Sequence, residues 1–199
     1  CTLPAFTGIN GIQNLGKSRL KGIEVDGSIF FTRDLRLDFG YAYLDAKVIT
    51  GAAGVFTCAR ESFRCDRAVF LSSGTVLPFA PKNRLTVTAS YKLPLPESIG
   101  KLSVSATFTH TDSQFHINGS AAAFAAGRIP FDAGIVPATD LLNLNLDWKA
   151  VGGSPVDASL FATNVTDKKY WVAAGSGINQ IGGEAIILGV PRMWGFRLK

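Results

Sequence analysis

The stretch Leu35-Arg-Leu-Asp-Phe-Gly-Tyr-Ala-Tyr43 decides the fold, because its apolar and polar residues alternate without a slip. Leu, Phe and Tyr occupy the odd positions, whereas Arg, Asp, Gly and Ala occupy the even ones. Side chains of a β-strand point alternately to opposite sides, so this period predicts a strand with one apolar and one polar face.

The same alternation recurs along the chain and predicts an all-β, antiparallel architecture. Seven segments carry it: 19–32, 35–43, 83–93, 102–109, 142–149, 156–170 and 185–199. Short connections at 33–34, 94–100 and 152–155 alternate with long ones at 46–82, 116–139 and 173–183. Short turns between alternating segments are typical of hairpins.

Composition excludes several classes of protein. With 47% hydrophobic and 18% charged residues in 199, the chain is not a disordered polymer. It contains no run of about 18 apolar residues, which excludes a helical membrane span. The net charge of +5 comes from basic residues scattered singly, and this argues against a nucleic-acid interface.

Three features favour a transmembrane β-barrel over a soluble β-sandwich. The segments reach about 10 residues, enough to cross a bilayer at a tilt, whereas globular strands peak near 5 or 6. Alternating short and long connections are typical of outer-membrane barrels. The aromatic residues of the apolar parity gather near the segment ends, as in membrane-interface belts: Phe31, Tyr91, Trp148 and Phe196 at the short turns, and Tyr41, Tyr43 and Phe108 at the long loops.

Five short motifs, in order, resemble those of TonB-dependent outer-membrane receptors. NLGKSRLKGIE at 14–24 is similar to their N-x-G-[KS]-x-[RK]-x-x-G-[VI]-E strand. YAYLDA at 41–46 resembles Y-x-Y-x-D-A, and LPFAPKN at 77–83 resembles L-P-x-x-P-x-[HN]. FATNVTDKKY at 161–170 and GVPRMWG at 189–195 resemble the N-hydrophobic-[FT]-D-K-x-Y signature and the closing G-x-P-R-x-[YW]-G strand. Each motif is weak alone, but five in order are specific.

The resemblance implies an antiparallel transmembrane β-barrel fragment, about the last seven strands of a 22-stranded barrel, over residues 1–199. Single-chain bacterial barrels have even strand counts, so seven strands also predict further strands outside this sequence. In the family, the barrel surrounds an N-terminal plug and is driven by TonB. The plug domain and its TonB box are absent from this sequence, and Lys199 falls a few residues short of the usual aromatic C-terminus.

The function implied is uptake of a scarce small-molecule ligand, such as a ferric siderophore, across the bacterial outer membrane. The implied partners are outer-membrane lipid, the protein's own plug and, through the plug, TonB. Two alternatives stay open: a passive porin-like channel, and a soluble β-sandwich binding module. No nucleophile and base stand together, and the sequence predicts no catalytic residue, no cofactor and no nucleic-acid partner.

Parity and loop position give the candidate site residues. The polar parity predicts a lumen-facing set: Glu24, Asp26, Arg36, Asp38, Asn143, Asn145 and Asp147. These could contact the plug or line a substrate path, or simply form a hydrated wall. Basic loop side chains that could meet an acidic ligand, or be merely solvated, are Arg60, Arg64 and Arg67.

The cysteines and histidines support less specific predictions. Cys58 and Cys65 are close enough in a loop to form a disulfide in an oxidising compartment, with two free thiols as the alternative. Cys1 has no evident partner, and we favour an excised fragment over an acylated lipoprotein. His110, Asp112 and His116 share one parity near the outer rim, but we predict surface residues there and no metal site.

Overall fold

The computed structural model describes residues 16–51, 55–59, 64–68, 73–116, 124–125, 127, 130–132, 134–176 and 184–199. Thirteen strands lie within these ranges: β1 Gly16–Phe30, β2 Leu35–Gly51, β3 Val55–Ala59, β4 Arg64–Ala68, β5 Asn83–Lys92, β6 Lys101–Thr111, β7 Gln114–Phe115, β8 Ile135–Val136, β9 Thr139–Lys149, β10 Ala158–Thr163, β11 Trp171–Ser176, β12 Glu184–Leu188 and β13 Met193–Leu198. Two 3-10 turns, Glu97–Ile99 and Val151–Gly153, lie in the short connections. Among the described residues, no helix is long and apolar enough to span a bilayer.

One seven-stranded sheet, in the order β1-β2-β5-β6-β9-β10-β13, contains one strand from each of the seven predicted segments. The pairs from β2 to β13 are antiparallel, as predicted. Apolar residues stand opposite apolar residues: Val87 faces Phe108, and Leu160 faces both Leu146 and Phe196. Because directly opposed residues lie on the same side of a sheet, the register produces one apolar face and one polar face.

The chain divides into two compact units. The larger comprises Leu20–Ala46 and Leu77–Lys199, and the smaller comprises the remaining residues. In the smaller unit, β3 and β4 form an antiparallel hairpin, and Lys47 forms a bridge with Val76. Strands β7–β8 and β11–β12 form two further small ladders in the larger unit.

No second layer covers the apolar face of the seven-stranded sheet among the residues that the structure describes. The side chains of this face are half-buried or exposed, and the exposed ones range from 38% for Phe108 and 42% for Leu144 to 81% for Trp194. Among the described residues, the buried hydrophobic ones are Ala46, Val48 and Val136. A β-sandwich would bury these apolar rows between two sheets, so the burial pattern argues against that alternative.

The short connections are fixed by local hydrogen bonds. Thr32 Oγ1 accepts from the backbone N–H groups of Asp34 at 3.1 Å and Leu35 at 2.9 Å, which closes the β1–β2 turn. In the β9–β10 turn, Asp157 Oδ1 accepts from the N–H of Ala150, whose φ of 52° is left-handed. Trp148 Nε1 donates to the Ile99 carbonyl at 2.8 Å, which joins two neighbouring turns.

Several element boundaries differ from the prediction. Strand β2 continues to Gly51, into the predicted long connection 46–82, which also contains β3 and β4, and the predicted connection 116–139 contains β8. Strand β10 ends at Thr163 instead of residue 170, because Asn164 takes a left-handed φ of 49° that ends the strand. The predicted strand 185–199 is divided into β12 and β13 around Pro191, which has no N–H to donate to a ladder. Part of the predicted loop 173–183 belongs to β11.

Candidate functional site

The polar face of the sheet holds a charged cluster near the β1–β2 turn. Arg36 Nε donates to Asp38 Oδ1 at 2.8 Å, and Arg36 Nη2 lies 3.1 Å from Ser28 Oγ. Ser28 also donates to the Asp38 carboxylate. The predicted positions Arg36 and Asp38 are therefore on one face and satisfy each other.

A second cluster on the polar face joins β9 to β10. Asp147 accepts hydrogen bonds from the Asn145 side chain and from Ser159 Oγ, the latter at 2.7 Å. Asn143 Oδ1 accepts the backbone N–H of Asn164 at 2.9 Å. The three β9 residues that were predicted to face the lumen, Asn143, Asn145 and Asp147, thus form hydrogen bonds with neighbouring groups of the chain.

A hollow interrupts the polar face toward the long-connection end of β2. It has a volume of about 260 Å³ and exists because β2 carries only Gly40 and Ala42 there. Glu24 and Asp26 of β1 line one side of it, and Arg84 of β5 lines another. Within the part of the chain that the structure describes, the side chains of these three residues form no ion pair. The hollow therefore brings together charges of both signs that form no ion pair in the described chain.

The apolar face ends in a hydrogen-bonded chain of polar side chains at the long-connection end, called here the rim network. Tyr41 Oη donates to Asn83 Oδ1 at 2.7 Å, and Asn83 Nδ2 donates to Asp112 Oδ2 at 2.5 Å. The two ring nitrogens of His110 lie 3.1 Å from Asp112 Oδ1 and 2.6 Å from Asp140 Oδ1. The network crosses β2, β5, β6 and β9 just beyond Phe108, where the apolar residues of β6 end.

The rim network shifts the pKa values of His110 and Asp112, which water still reaches. Hydrogen bonds to Asp140 and then to Asp112 raise the pKa of His110 above its ordinary value. The Asn83 amide and then His110 hold the pKa of Asp112 below its ordinary value. Side-chain exposures are 30% for His110, 29% for Asp112 and 57% for Asp140, so these interactions are partly screened by solvent.

The three residues grouped by parity near the outer rim do not stay together. His116 is buried away from the rim network, with its ring centroid 4.3 Å from that of Phe79. Its Nδ1 accepts the backbone N–H of Ala174 at 3.3 Å. In the described ranges, no three His, Cys, Asp or Glu side chains are grouped so that they could hold a metal ion.

The loop candidates fall mostly on the β3–β4 hairpin of the smaller unit. Arg64 and Arg67 belong to β4, whereas Arg60 lies outside the described residues. In the hairpin register, Cys58 is directly opposite Cys65. The disulfide remains a prediction, and the backbone register is compatible with it because opposed residues have the shortest cross-strand separation.

The hydrogen-bonding role of Asn164 is not evident from sequence. This buried residue accepts the Lys168 N–H at Oδ1 (2.9 Å) and donates from Nδ2 to the carbonyls of Lys168 (2.9 Å) and Val190 (3.2 Å). It therefore ties the end of β10 to the segment that precedes β13. The available signal was an Asn at the end of an alternating run, a residue type that tolerates left-handed φ.

Comparison with known proteins identifies the family. The chain matches the model of the family described as TonB dependent receptor-like, beta-barrel, over residues 2–167. No curated protein matches the chain. It is similar in structure to the siderophore receptor PiuA from Acinetobacter baumannii, with 21% identity, a TM-score of 0.64, and coverage of 92% of this chain and 22% of that one.

Two further solved structures show the same fold. The ferric yersiniabactin uptake receptor FyuA from Yersinia pestis has 13% identity and a TM-score of 0.67, covering 93% of this chain and 24% of that one. The ferric citrate transporter FecA in its unliganded form has 18% identity and a TM-score of 0.60, covering 92% and 25%. This chain thus spans about a quarter of their length. Proteins of the matched family are receptors and transporters of the bacterial outer membrane.

The resemblance predicted from the five sequence motifs is thereby confirmed, as is the all-β antiparallel architecture. The family match, the sheet order and the alternation of its two faces agree along the chain. The chain belongs to the TonB-dependent receptor family and forms part of its β-barrel.

Proposed function

We propose that this chain forms part of the wall of an outer-membrane receptor that takes up a scarce ligand, such as a ferric siderophore, with energy from the TonB system. The observation that carries the proposal is one sheet with an uncovered apolar face and an internally hydrogen-bonded polar face. In this proposal the apolar face meets lipid and the polar face meets enclosed water.

The dimensions of the apolar face support a membrane position. From Leu102 to His110, the polar residue that marks the outer boundary of the apolar face, β6 covers eight residue steps, which at about 3.4 Å per step and a tilt of about 40° give a height of about 21 Å. A barrel's apolar band is about 25 Å tall. Trp148 lies at the short-turn end and Phe108 at the other, where aromatic belts are expected. Leu102–Phe108 is thus the membrane-spanning part of β6, and the rim network lies outside it.

Within this proposal, the polar face lines the interior. Lumen-facing positions whose charges are already satisfied, such as Arg36 and Asp38, serve as hydrated wall. The hollow beside Glu24, Asp26 and Arg84 is better suited to contact the plug or a passing ligand, because its charges lack partners in the described chain. The protein acts as a transporter and not as an enzyme, with the plug and TonB as partners.

The β3–β4 hairpin belongs to a long connection, and such connections of outer-membrane barrels face the cell exterior. We propose that Arg60, Arg64 and Arg67 contribute positive charge there toward an acidic ligand. A disulfide between Cys58 and Cys65 would hold the hairpin, since the periplasm and cell surface are oxidising.

Uptake of ⁵⁵Fe-loaded siderophores tests the proposal. A strain that lacks the full-length gene is expected to lose uptake of at least one ferric complex of a panel, and the gene restores it. Restoration should fail in a host without TonB. Uptake that persists without TonB would instead support the passive channel. Neutralising the three loop arginines to Gln should weaken uptake, whereas Lys92→Gln at the opposite end of the sheet is the matched control.

A further inference from the structure

The two ends of the β6–β9 connection are held by one histidine. Strands β6 and β9 pair from Lys101 opposite Lys149 to Thr111 opposite Thr139. Asp112 is the first residue after β6, and Asp140 is the second residue of β9. His110 stands in register with Asp140, so its ring lies between a carboxylate at the start of the connection and one at its return.

The chemistry of the ring requires two donors. An ionised carboxylate only accepts hydrogen bonds, and both ring nitrogens of His110 face a carboxylate oxygen. A neutral imidazole has one N–H and one lone pair. It can therefore donate to only one of the two carboxylates, and its lone pair repels the other. The protonated ring donates to both and carries the opposite charge.

Among the side chains around the His110 ring, the protonation state of the ring itself is the feature that changes with pH. On the β5 side, His110 is opposite Leu85, and the uncharged Asn83 binds the second oxygen of Asp112. Beyond Asn83, the Tyr41 phenol donates to the amide, and Lys82 Nζ lies over the Tyr43 ring, 5.8 Å from its centroid. On the β9 side the charged neighbour in the described chain is Asp140.

We propose that His110 is a pH-sensitive clamp that holds the two roots of the β6–β9 connection together while its ring is protonated. The inference does not depend on the proposed ligand or on TonB. The connection leaves the sheet at the end that carries the other long connections. The clamp therefore acts on the two strand ends from which this connection emerges.

The direction of the pH dependence follows from the pKa shifts. The pKa of His110 is raised, so its contribution is complete below the ordinary histidine value of about 6.5 and is lost as the pH rises through the raised value. The pKa of Asp112 is lowered, so its contribution is present above its ordinary value and is lost as the pH falls through the lowered one. The clamp is closed between these limits and opens on the alkaline side when the ring loses its proton.

Hydrogen exchange of the full-length receptor in detergent, corrected for intrinsic rates, tests the clamp between about pH 6 and pH 9. We expect peptides covering 109–116 and 136–141 to lose protection several-fold as the pH rises. His110→Gln, which does not titrate, should remove that pH-dependent step. Lys149→Gln at the other end of the same strand pair is the control and should retain it.

The titration of the ring is a second, independent measurement. NMR of ¹³Cε1-labelled histidine, with the His110 signal assigned by its loss in His110→Gln, should show a ring still protonated above pH 6.5, and Asp140→Asn should shift its titration downward. The proposal is overturned if the ring titrates below 6.5, or if the wild type and His110→Gln show the same protection at every pH.

Discussion

Replacing Leu144 by Arg is expected to destabilise the receptor in a membrane by about 2–4 kcal/mol. Leu144 lies on the apolar face of β9, four residue steps from Trp148 and four from Asp140. At about 3.4 Å per step and a tilt of about 40°, it is about 10 Å from either boundary, at the midplane of the apolar band.

The expected loss of stability comes from placing a charge in the membrane and not from a steric clash with neighbouring side chains. The residues opposite Leu144 are Ala106 on β6 and Ala162 on β10, which leave room for a longer side chain. In water, an exposed Leu→Arg change would alter the free energy of unfolding by no more than about 0.5 kcal/mol. The two environments therefore predict different results for the same substitution.

The measurement is urea unfolding of the full-length receptor in phosphatidylcholine vesicles, followed by tryptophan fluorescence. Asn145→Arg is the matched control, because the neighbouring side chain lies on the polar face beside Asp147 and should cost less than about 1 kcal/mol. If Leu144→Arg prevents insertion, Leu144→Gln gives a measurable intermediate cost. Equal effects of the arginine substitutions at 144 and 145 would refute the assignment of the two faces.

Three other predictions concern hydrogen bonds, thiols and packing. Asn164→Ala removes three side-chain hydrogen bonds and places Ala at a left-handed φ. Denaturant titration should therefore show a free energy of unfolding lower by about 3–4 kcal/mol. A loss below about 1 kcal/mol would contradict the role assigned to this residue. Thiol counting on the unfolded, unreduced protein should find Cys58 and Cys65 blocked, and Cys58→Ser should free one thiol; two reactive thiols in the wild type would exclude the disulfide. Gly195→Val should destabilise the protein, because even a Cβ at this position would lie 2.8 Å from Phe161 Cζ. Adding Phe161→Ala should recover part of the lost stability. A Gly195→Val protein as stable as the wild type would contradict this contact.

The seven strands of the large sheet could be predicted because a period of two, repeated over six or more residues, depends on local alternation alone. Positions two apart on one strand were also predictable: Arg36 and Asp38 share a face by parity and form an ion pair. The boundaries at Asn164 and Pro191 were missed, because they depend on a left-handed residue and a missing N–H that alternation does not report.

The partners across strands could not be predicted in the same way. His110 meets Asp140 because of the register of β6 on β9, and alternation fixes the face of a residue but not its position opposite the next strand. Parity grouped His110 with His116, yet the chain leaves β6 at Thr111 and parity has no meaning beyond that point. A site made of side chains from different strands therefore requires the register as well as the period.

The polar face also differs along its height in a way that sequence parity does not reveal. Near the short turns, Arg36 and Asp147 find their partners within the sheet, so those charges need nothing else. Toward the long connections, the small side chains Gly40 and Ala42 leave the hollow open, and the charges around it stay unpaired in the described chain. Because the charged groups around the hollow find no partner within the sheet, we expect contacts from the plug or a ligand to concentrate there. In the proposed receptor, the paired clusters nearer the short turns would form the hydrated wall.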